Sequence, residues 1–253
     1  MQLKDVAVFI TGGGSGLGAA TARAMAAKGA KIAVLDQSKG NAEKVAAELR
    51  GVAIEADVTN EEQVKAGLAE AEAAHGVARV LVNCAGIGGT QRLLDRDSII
   101  YPLEKFLRII SVNLGGTFNC VRLFAQRLVS VEAIGEERGV IINTASVAAF
   151  EGRGDGIPYA ASKAGVVGLT LPAARDLAEY KIRVNTIAPG GFETPLLMGL
   201  PEEYRKRIGE LVPHPARLGH ASEFAGLATH IVENAMLNGE TIRLDGAFRG
   251  VSG

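Results

Sequence analysis

The chain is nearly free of net charge. Its 27 Lys and Arg stand against 28 Asp and Glu, leaving -1 at neutral pH, with the cations spread along the sequence rather than clustered. Such a distribution offers no broad electrostatic attraction for nucleic acid or for an acidic membrane. It points to a small molecule as the partner. Cysteine is scarce: Cys84 and Cys120 lie in apolar stretches without metal-type spacing, so buried free thiols are expected rather than a disulfide. That suits a reducing compartment. No apolar run approaches the roughly 18 residues needed to cross a bilayer, and no internal repeat or low-complexity segment is found. The opening Met1-Gln2-Leu3-Lys4-Asp5 reads as neither a cleavable signal nor a transit peptide. A soluble protein is expected, cytoplasmic in a bacterium. His75, His214, His220 and His230 have no ligand-like spacing with carboxylates or thiols, so no metal is expected.

Apolar material is plentiful. Hydrophobic residues make up 47% of the 253 positions and charged residues 22%, enough for one sizeable core. No shift in composition marks a boundary, so residues 1–253 are read as a single domain. Short β-prone runs stand at 6–10, 32–35, 52–55, 80–82, 140–143, 184–187 and 241–244, with helix-prone stretches between them, as at 19–28 and 41–50. Short apolar strands alternating with helices indicate an α/β fold, a doubly wound parallel sheet with helices on both faces. Right-handed crossovers then put the ligand crevice at one edge of the sheet. Two segments, about 88–102 and 194–217, are expected as loops over the substrate. The second carries Pro195, Pro201, Pro213 and Pro215 around a short helical piece.

Thr11-Gly12-Gly13-Gly14-Ser15-Gly16-Leu17-Gly18 follows a strand and opens a helix. Backbone free of side chains can approach a diphosphate there, and the helix N-terminus stabilises its charge. Alone, the string fits a tight turn as well. Asp36, closing the next strand 18 residues after Gly18, narrows the choice, because a carboxylate there accepts hydrogen bonds from the adenosine ribose hydroxyls and repels a 2′-phosphate. NAD is therefore expected as cofactor, with Lys39 the nearby residue that argues the other way.

Tyr159 and Lys163 lie four apart in a helix-prone segment, on one face. A phenol titrating near pH 10 is a poor base at neutrality, and an adjacent ammonium favours its phenolate. Ser146 follows the run at 140–143, so its hydroxyl falls at the edge where open α/β sheets bind ligands.

With these motifs the chain resembles the short-chain dehydrogenase/reductase family over nearly its whole length. TGGGSGLG at 11–18, Asp57-Val58, Asn83-Cys84-Ala85-Gly86, Asn113, Ser146, Tyr159-x-x-x-Lys163 and Pro189-Gly190 arrive in family order. The resemblance implies a Rossmann-type fold and NAD-dependent oxidation of a secondary alcohol to a ketone. It implies that Gly12, Ser15, Gly16, Leu17, Gly18 and Asp36 hold the cofactor, that Asp57 and Val58 contact adenine, and that Asn83, Ala85 and Gly86 border it. Pro189, Gly190, Phe192 and Thr194 would hold the nicotinamide carboxamide. Ser146 would bind the substrate oxygen and Tyr159 exchange its proton. Lys163 would bind the ribose and lower the tyrosine pKa, and Asn113 would hold a water linking Lys163 to solvent.

Three stretches, 138–152, 168–177 and 237–246, are similar to the branch of type 10 17β-hydroxysteroid and type II 3-hydroxyacyl-CoA dehydrogenases. That implies a 3-hydroxyacyl-CoA as substrate, in fatty-acid or branched-chain breakdown, and a homotetramer. The loop before Asn113 departs from the branch: Arg92 and Arg96 are balanced by Asp95 and Asp97, where relatives carry a lysine pair. The two arginines are either solvated charges or phosphate ligands. Leu196, Leu197, Met198 and Leu200 form an apolar lid or pack a helix. An alcohol or hydroxysteroid dehydrogenase that never handles CoA, and a nucleotide-binding interaction protein without turnover, remain the alternatives.

Overall fold

Along β1 (Ala7–Thr11), successive side chains point to opposite faces: Val8 and Ile10 enter one core, Ala7 and Phe9 the other. A strand with both faces covered needs apolar residues at every position, which is why alternation is missing from these runs. The computed structural model describes residues 1–90, 92–94, 97, 99–199 and 201–249, and the backbone but not the side chain of Leu196. The chain runs β1, α1 (Gly16–Ala27), β2 (Lys31–Asp36), α2 (Lys39–Leu49), β3 (Val52–Glu55), α3 (Glu61–His75), β4 (Val80–Asn83), α4 (Leu103–Ile110) and α5 (Thr117–Leu128). There follow β5 (Gly139–Thr144), α6 (Ile157–Asp176), β6 (Ile182–Pro189), α7 (Pro195–Met198), α8 (Glu202–Glu210), α9 (Ala221–Glu233) and β7 (Thr241–Leu244).

Among the described residues the seven strands of the sheet pair in parallel, in the order β3-β2-β1-β4-β5-β6-β7. The fold is the expected Rossmann-type α/β sheet. Helices α1, α2 and α9 cover one face through Met25, Val45 and Phe224; α3 and α5 cover the other through Leu68 and Phe124. The order reverses between β1 and β4, and the crevice at such a switch point is where ligands bind.

Helix starts follow local chemistry. Asn60 caps α3 by accepting from Gln63 N at 3.1 Å, with Glu61 and Glu62 in the first turn. His220 and Glu193 pair at 2.9 Å where α9 begins. Segment 194–217 is more helical than expected, because its prolines start helices instead of breaking them: Pro195 is the first residue of α7, and Pro201 caps α8. Between α4 and α5 the chain widens into a π-helical turn, Ser111–Gly116, which carries Asn113. Among the described residues no helix is long and apolar enough to cross a membrane.

Candidate active site

At the carboxyl edge of the sheet a cleft of about 1700 Å³ opens over the ends of β1, β2, β4, β5 and β6. Its first wall is the glycine turn. A Cβ on Gly12 would stand 2.6 Å from Ala85 N, and one on Gly18 would overlap Gly12 O, so both glycines are required to bring β1, the β4 loop and α1 together. Ser15, Gly16 and Leu17 line the cleft at the N-terminus of α1, and the Ser15 side chain makes no capping bond to the first turn. The first-turn amides thus face the open space that an anion would fill.

Asp36 is fixed at the end of β2. Its Oδ2 accepts from Gly14 N at 3.1 Å and its Oδ1 from Ser38 N at 2.9 Å. A carboxylate has about four lone-pair sites, so capacity remains for ribose hydroxyls. Lys39 turns to Glu43 at 4.0 Å and is not part of the cleft lining. Asp57 lines the next stretch with one oxygen held by Thr59 N and Oγ1, both at 2.8 Å; Val58 lies buried beside it. An aligned set of open amides, a fixed carboxylate and backbone without side chains fits a dinucleotide.

Farther along, Ser146 follows β5 in extended conformation, with its Oγ accepting from Ala148 N at 3.1 Å. Tyr159, which α6 presents from its first turn, lines the same part of the cleft, where the Ser146 hydroxyl favours its phenolate. One turn on, Lys163 Nζ donates to Thr144 O at 2.8 Å and stands 5.7 Å from the centre of the Tyr159 ring. Lys163 is buried and Tyr159 half-buried, with consequences that differ from one expectation. Tyr159 lies above the ordinary phenol pKa, not below it, because burial outweighs the opposing influence of Ser146. The same burial lowers Lys163 to about 8, so its cation is a weaker lever in the unliganded protein than the motif implies.

Ala85, Gly86, Pro189, Gly190, Phe192 and Thr194 complete the wall, with the Phe192 ring against Gly219. Two expected site residues stand behind the lining. Buried Asn83 links strand ends, accepting from Thr11 Oγ1 at 3.3 Å and donating to Asn143 Oδ1 at 2.9 Å. Asn113 is clamped: its Oδ1 accepts from Ile87 N at 2.8 Å, and its Nδ2 donates to Ile87 O and Ser162 Oγ, both at 3.0 Å. Both amide hydrogens and one of the two oxygen lone pairs are thereby committed to holding the β4 loop against α6, and one acceptor site remains. Cys84 differs from the expected buried thiol, being half-exposed at the cleft; Cys120 is fully buried.

Sequence reasoning missed Arg108, Tyr204, Arg207 and Phe248, which also line the cleft. The spacing of Tyr204, Arg207, Ile208 and Leu211 carried a helical signal, whereas Phe248 had none. Of the apolar lid candidates, Leu197 lines the cleft and Met198 is exposed; Leu200 and the Leu196 side chain lie outside the described residues, as do Asp95 and Arg96.

The model of short chain dehydrogenase matches residues 6–205. The 3-hydroxyacyl-CoA dehydrogenase type-2 of Bos taurus is 49% identical over 252 residues, 98% of this chain and 97% of that one. A crystal structure of the 3-hydroxyacyl-CoA dehydrogenase type-2 from Mycobacterium avium superposes with a TM-score of 0.93 at 37% identity, covering 100% of both chains. The 3-ketoacyl-(acyl-carrier-protein) reductase from Brucella melitensis, complexed with NADH, gives 0.88 at 34% identity, over 97% of this chain and 98% of its own. Shared length, shared sheet and the tyrosine–lysine turn beside the glycine cradle agree: the chain belongs to the short-chain dehydrogenase family.

Proposed function

We propose that this protein oxidises the 3-hydroxyl of a 3-hydroxyacyl-CoA to the ketone with NAD, reversibly. Its standing as an NAD-dependent oxidoreductase acting on CH–OH groups follows from the family. The finer reading rests on the near-complete coverage shared with 3-hydroxyacyl-CoA dehydrogenases type-2. The observation that carries the chemistry is that Ser146, Tyr159 and Lys163 line one cleft with the glycine cradle.

The first turn of α1 binds the cofactor diphosphate, Asp36 the adenosine ribose, Asp57 and Val58 the adenine, and Lys163 the second ribose. Gly86 and residues 189–194 hold the nicotinamide end. Bound NAD supplies the acceptor for the carbinol hydride. Ser146, fixed by the Ala148 amide, orients the substrate oxygen. Tyr159 takes the hydroxyl proton as the carbonyl forms, and returns it in reduction. Asn113 acts through the backbone of Ile87, keeping the β4 loop in place.

Segments 88–102 and 194–217 cover the substrate. The protein assembles as a homotetramer, a reading favoured by the apolar side chains of Leu103 and Leu107 on α4 and Phe118 on α5, all more than half exposed. It works in a reducing, cytoplasmic setting that keeps both thiols free. The deciding experiment follows NADH formation from 3-hydroxybutyryl-CoA, hydroxysteroids and aryl alcohols. Preference for the thioester is expected; turnover of steroids or aryl alcohols alone overturns the CoA reading, and no turnover at all overturns the enzyme.

A further inference from the structure

The cleft exceeds the roughly 300–1,000 Å³ of an ordinary small-molecule pocket. Besides Ser146 and Tyr159 it is lined by residues of α4 and α8. Helix α8 turns Tyr204, Arg207 and Ile208 toward it, at helical spacing, and the end of α4 brings Arg108. Arg92 stands on the same lining from segment 88–102.

On this side the cleft lining carries Arg92, Arg108, Arg153 and Arg207. The two carboxylates on this side, Glu151 and Asp155, are already engaged, by Arg243 at 2.7 Å and Arg153 at 3.0 Å. Arg153 in turn lies over the Tyr204 ring at 5.0 Å, which ties segment 151–156 to α8. Among the described residues no carboxylate stands within ion-pair distance of Arg92, Arg108 or Arg207, although other surface cations do find one, as Arg23 finds Glu48 and Lys65 finds Glu61. A chain of net charge -1 thus lines one cleft with three guanidiniums that form no ion pair to a described carboxylate. Like charges placed together repel, so the arrangement suits an anion brought by the ligand. Guanidinium forks match phosphate oxygens two at a time.

We propose that Arg108 and Arg207, assisted by Arg92, form the subsite for the phosphate groups of the CoA carrier. The pantetheine arm then passes between α4 and α8, and the thioester end reaches Ser146 and Tyr159. This rests on the 3-hydroxyacyl-CoA reading above and adds the residues that select the carrier.

The test compares 3-hydroxybutyryl-CoA with the same acyl group on N-acetylcysteamine, which carries no phosphate, in wild type and in Arg108→Ala and Arg207→Ala. The ratio of kcat/KM for CoA over cysteamine thioester is expected to fall about tenfold in each variant, mainly through KM. Wild-type KM for the CoA thioester should rise with salt, and less steeply in the double variant. Arg108→Gln and Arg207→Gln, which keep most of the apolar stem, should lower the same ratio even where an alanine variant melts early. An unchanged ratio, with both thioesters affected alike or neither, overturns the subsite while leaving the dehydrogenase reading intact. A wild type inactive on both thioesters but active on other secondary alcohols overturns that reading instead, and the subsite with it. Should an acyl-carrier-protein thioester be preferred and lose most in the variants, the assignment to CoA is wrong.

Discussion

Arg243 on β7 reaches Glu151, in the segment that joins Ser146 to Tyr159, with Nη1 and Oε1 2.7 Å apart. Asp245 at 2.7 Å, the Phe248 carbonyl at 2.8 Å and the Phe150 ring at 5.3 Å hold the guanidinium in place. Glu151 is tied back to the serine turn through its amide, which donates to Val147 O at 3.0 Å. On the other side Gly152 packs so closely that a Cβ would stand 2.8 Å from that of Ala160, the neighbour of Tyr159. The ion pair therefore pins the strap between the two hydroxyls to β7. Glu151→Gln, which keeps the shape and removes the charge, is expected to lower kcat about tenfold through loss of alignment. Steady-state kinetics should show the KM for NAD unchanged, since the cradle on α1 is untouched.

Tyr159→Phe removes the proton acceptor while keeping the ring over which Lys163 lies. Loss of a positioned acid/base costs on the order of 10² to 10⁴ in rate. Turnover should fall by that amount with NAD binding retained, measured by initial rates and by cofactor fluorescence. Undiminished turnover would refute the mechanism. Ser146→Ala should reduce kcat as well, because the substrate oxygen loses its partner while Tyr159 remains.

Burial gives the activity a direction with pH. Tyr159 lies above the ordinary phenol value, so its base form, required for oxidation, grows as pH rises, and its acid form, required for reduction, declines. Oxidation should accelerate through the alkaline range, and Lys163→Met should move that limb to higher pH by removing the charge that favours phenolate. Stability supplies an independent reading. Lys163 is lowered to about 8 from 10.5, so between those values the unfolded chain holds more protons than the folded one. The contribution of this group to stability then rises with pH, its penalty being complete below about 8. Melting curves of wild type and Lys163→Met from pH 7 to 10 should converge as pH rises if this destabilising charge is what separates them.

Much of this was legible because the signals are local. Short apolar runs mark a sheet covered on both faces, and the runs at 52–55 and 241–244 coincide with β3 and β7. The glycine string, Asp36 and the tyrosine–lysine turn each follow from spacing within one element or one βα unit. What escaped depends on distant partners. Arg243 and Glu151 are 92 residues apart in the chain, and neither is remarkable alone in a sequence rich in such residues. The clamp by Asn113 requires the π-helical turn at Ser111–Gly116, which no propensity marks. Helix α8 was legible as a short helical piece among prolines, but not the start of α7 at Pro195, since the use of prolines as helix starters depends on where the preceding chain bends.

On the proposed reading Asp36 selects between the two nicotinamide cofactors through its charge, and it also supports the glycine turn. Its oxygens accept from Gly14 N at 3.1 Å and from Ser38 N at 2.9 Å, so removing the whole group loosens the cradle as well as the ribose contact. Asp36→Ala should raise the KM for NAD by about an order of magnitude or more, the loss expected for a charged acceptor with hydroxyl partners. Asp36→Asn separates the two effects. Its amide oxygen still accepts one bond, while the negative charge that repels a 2′-phosphate is gone. NAD should bind the asparagine variant better than the alanine one, and the preference for NAD over NADP should narrow in both. Measured kcat/KM for each cofactor checks this directly: a preference left at the wild-type value in both variants means that selection lies elsewhere in the cleft.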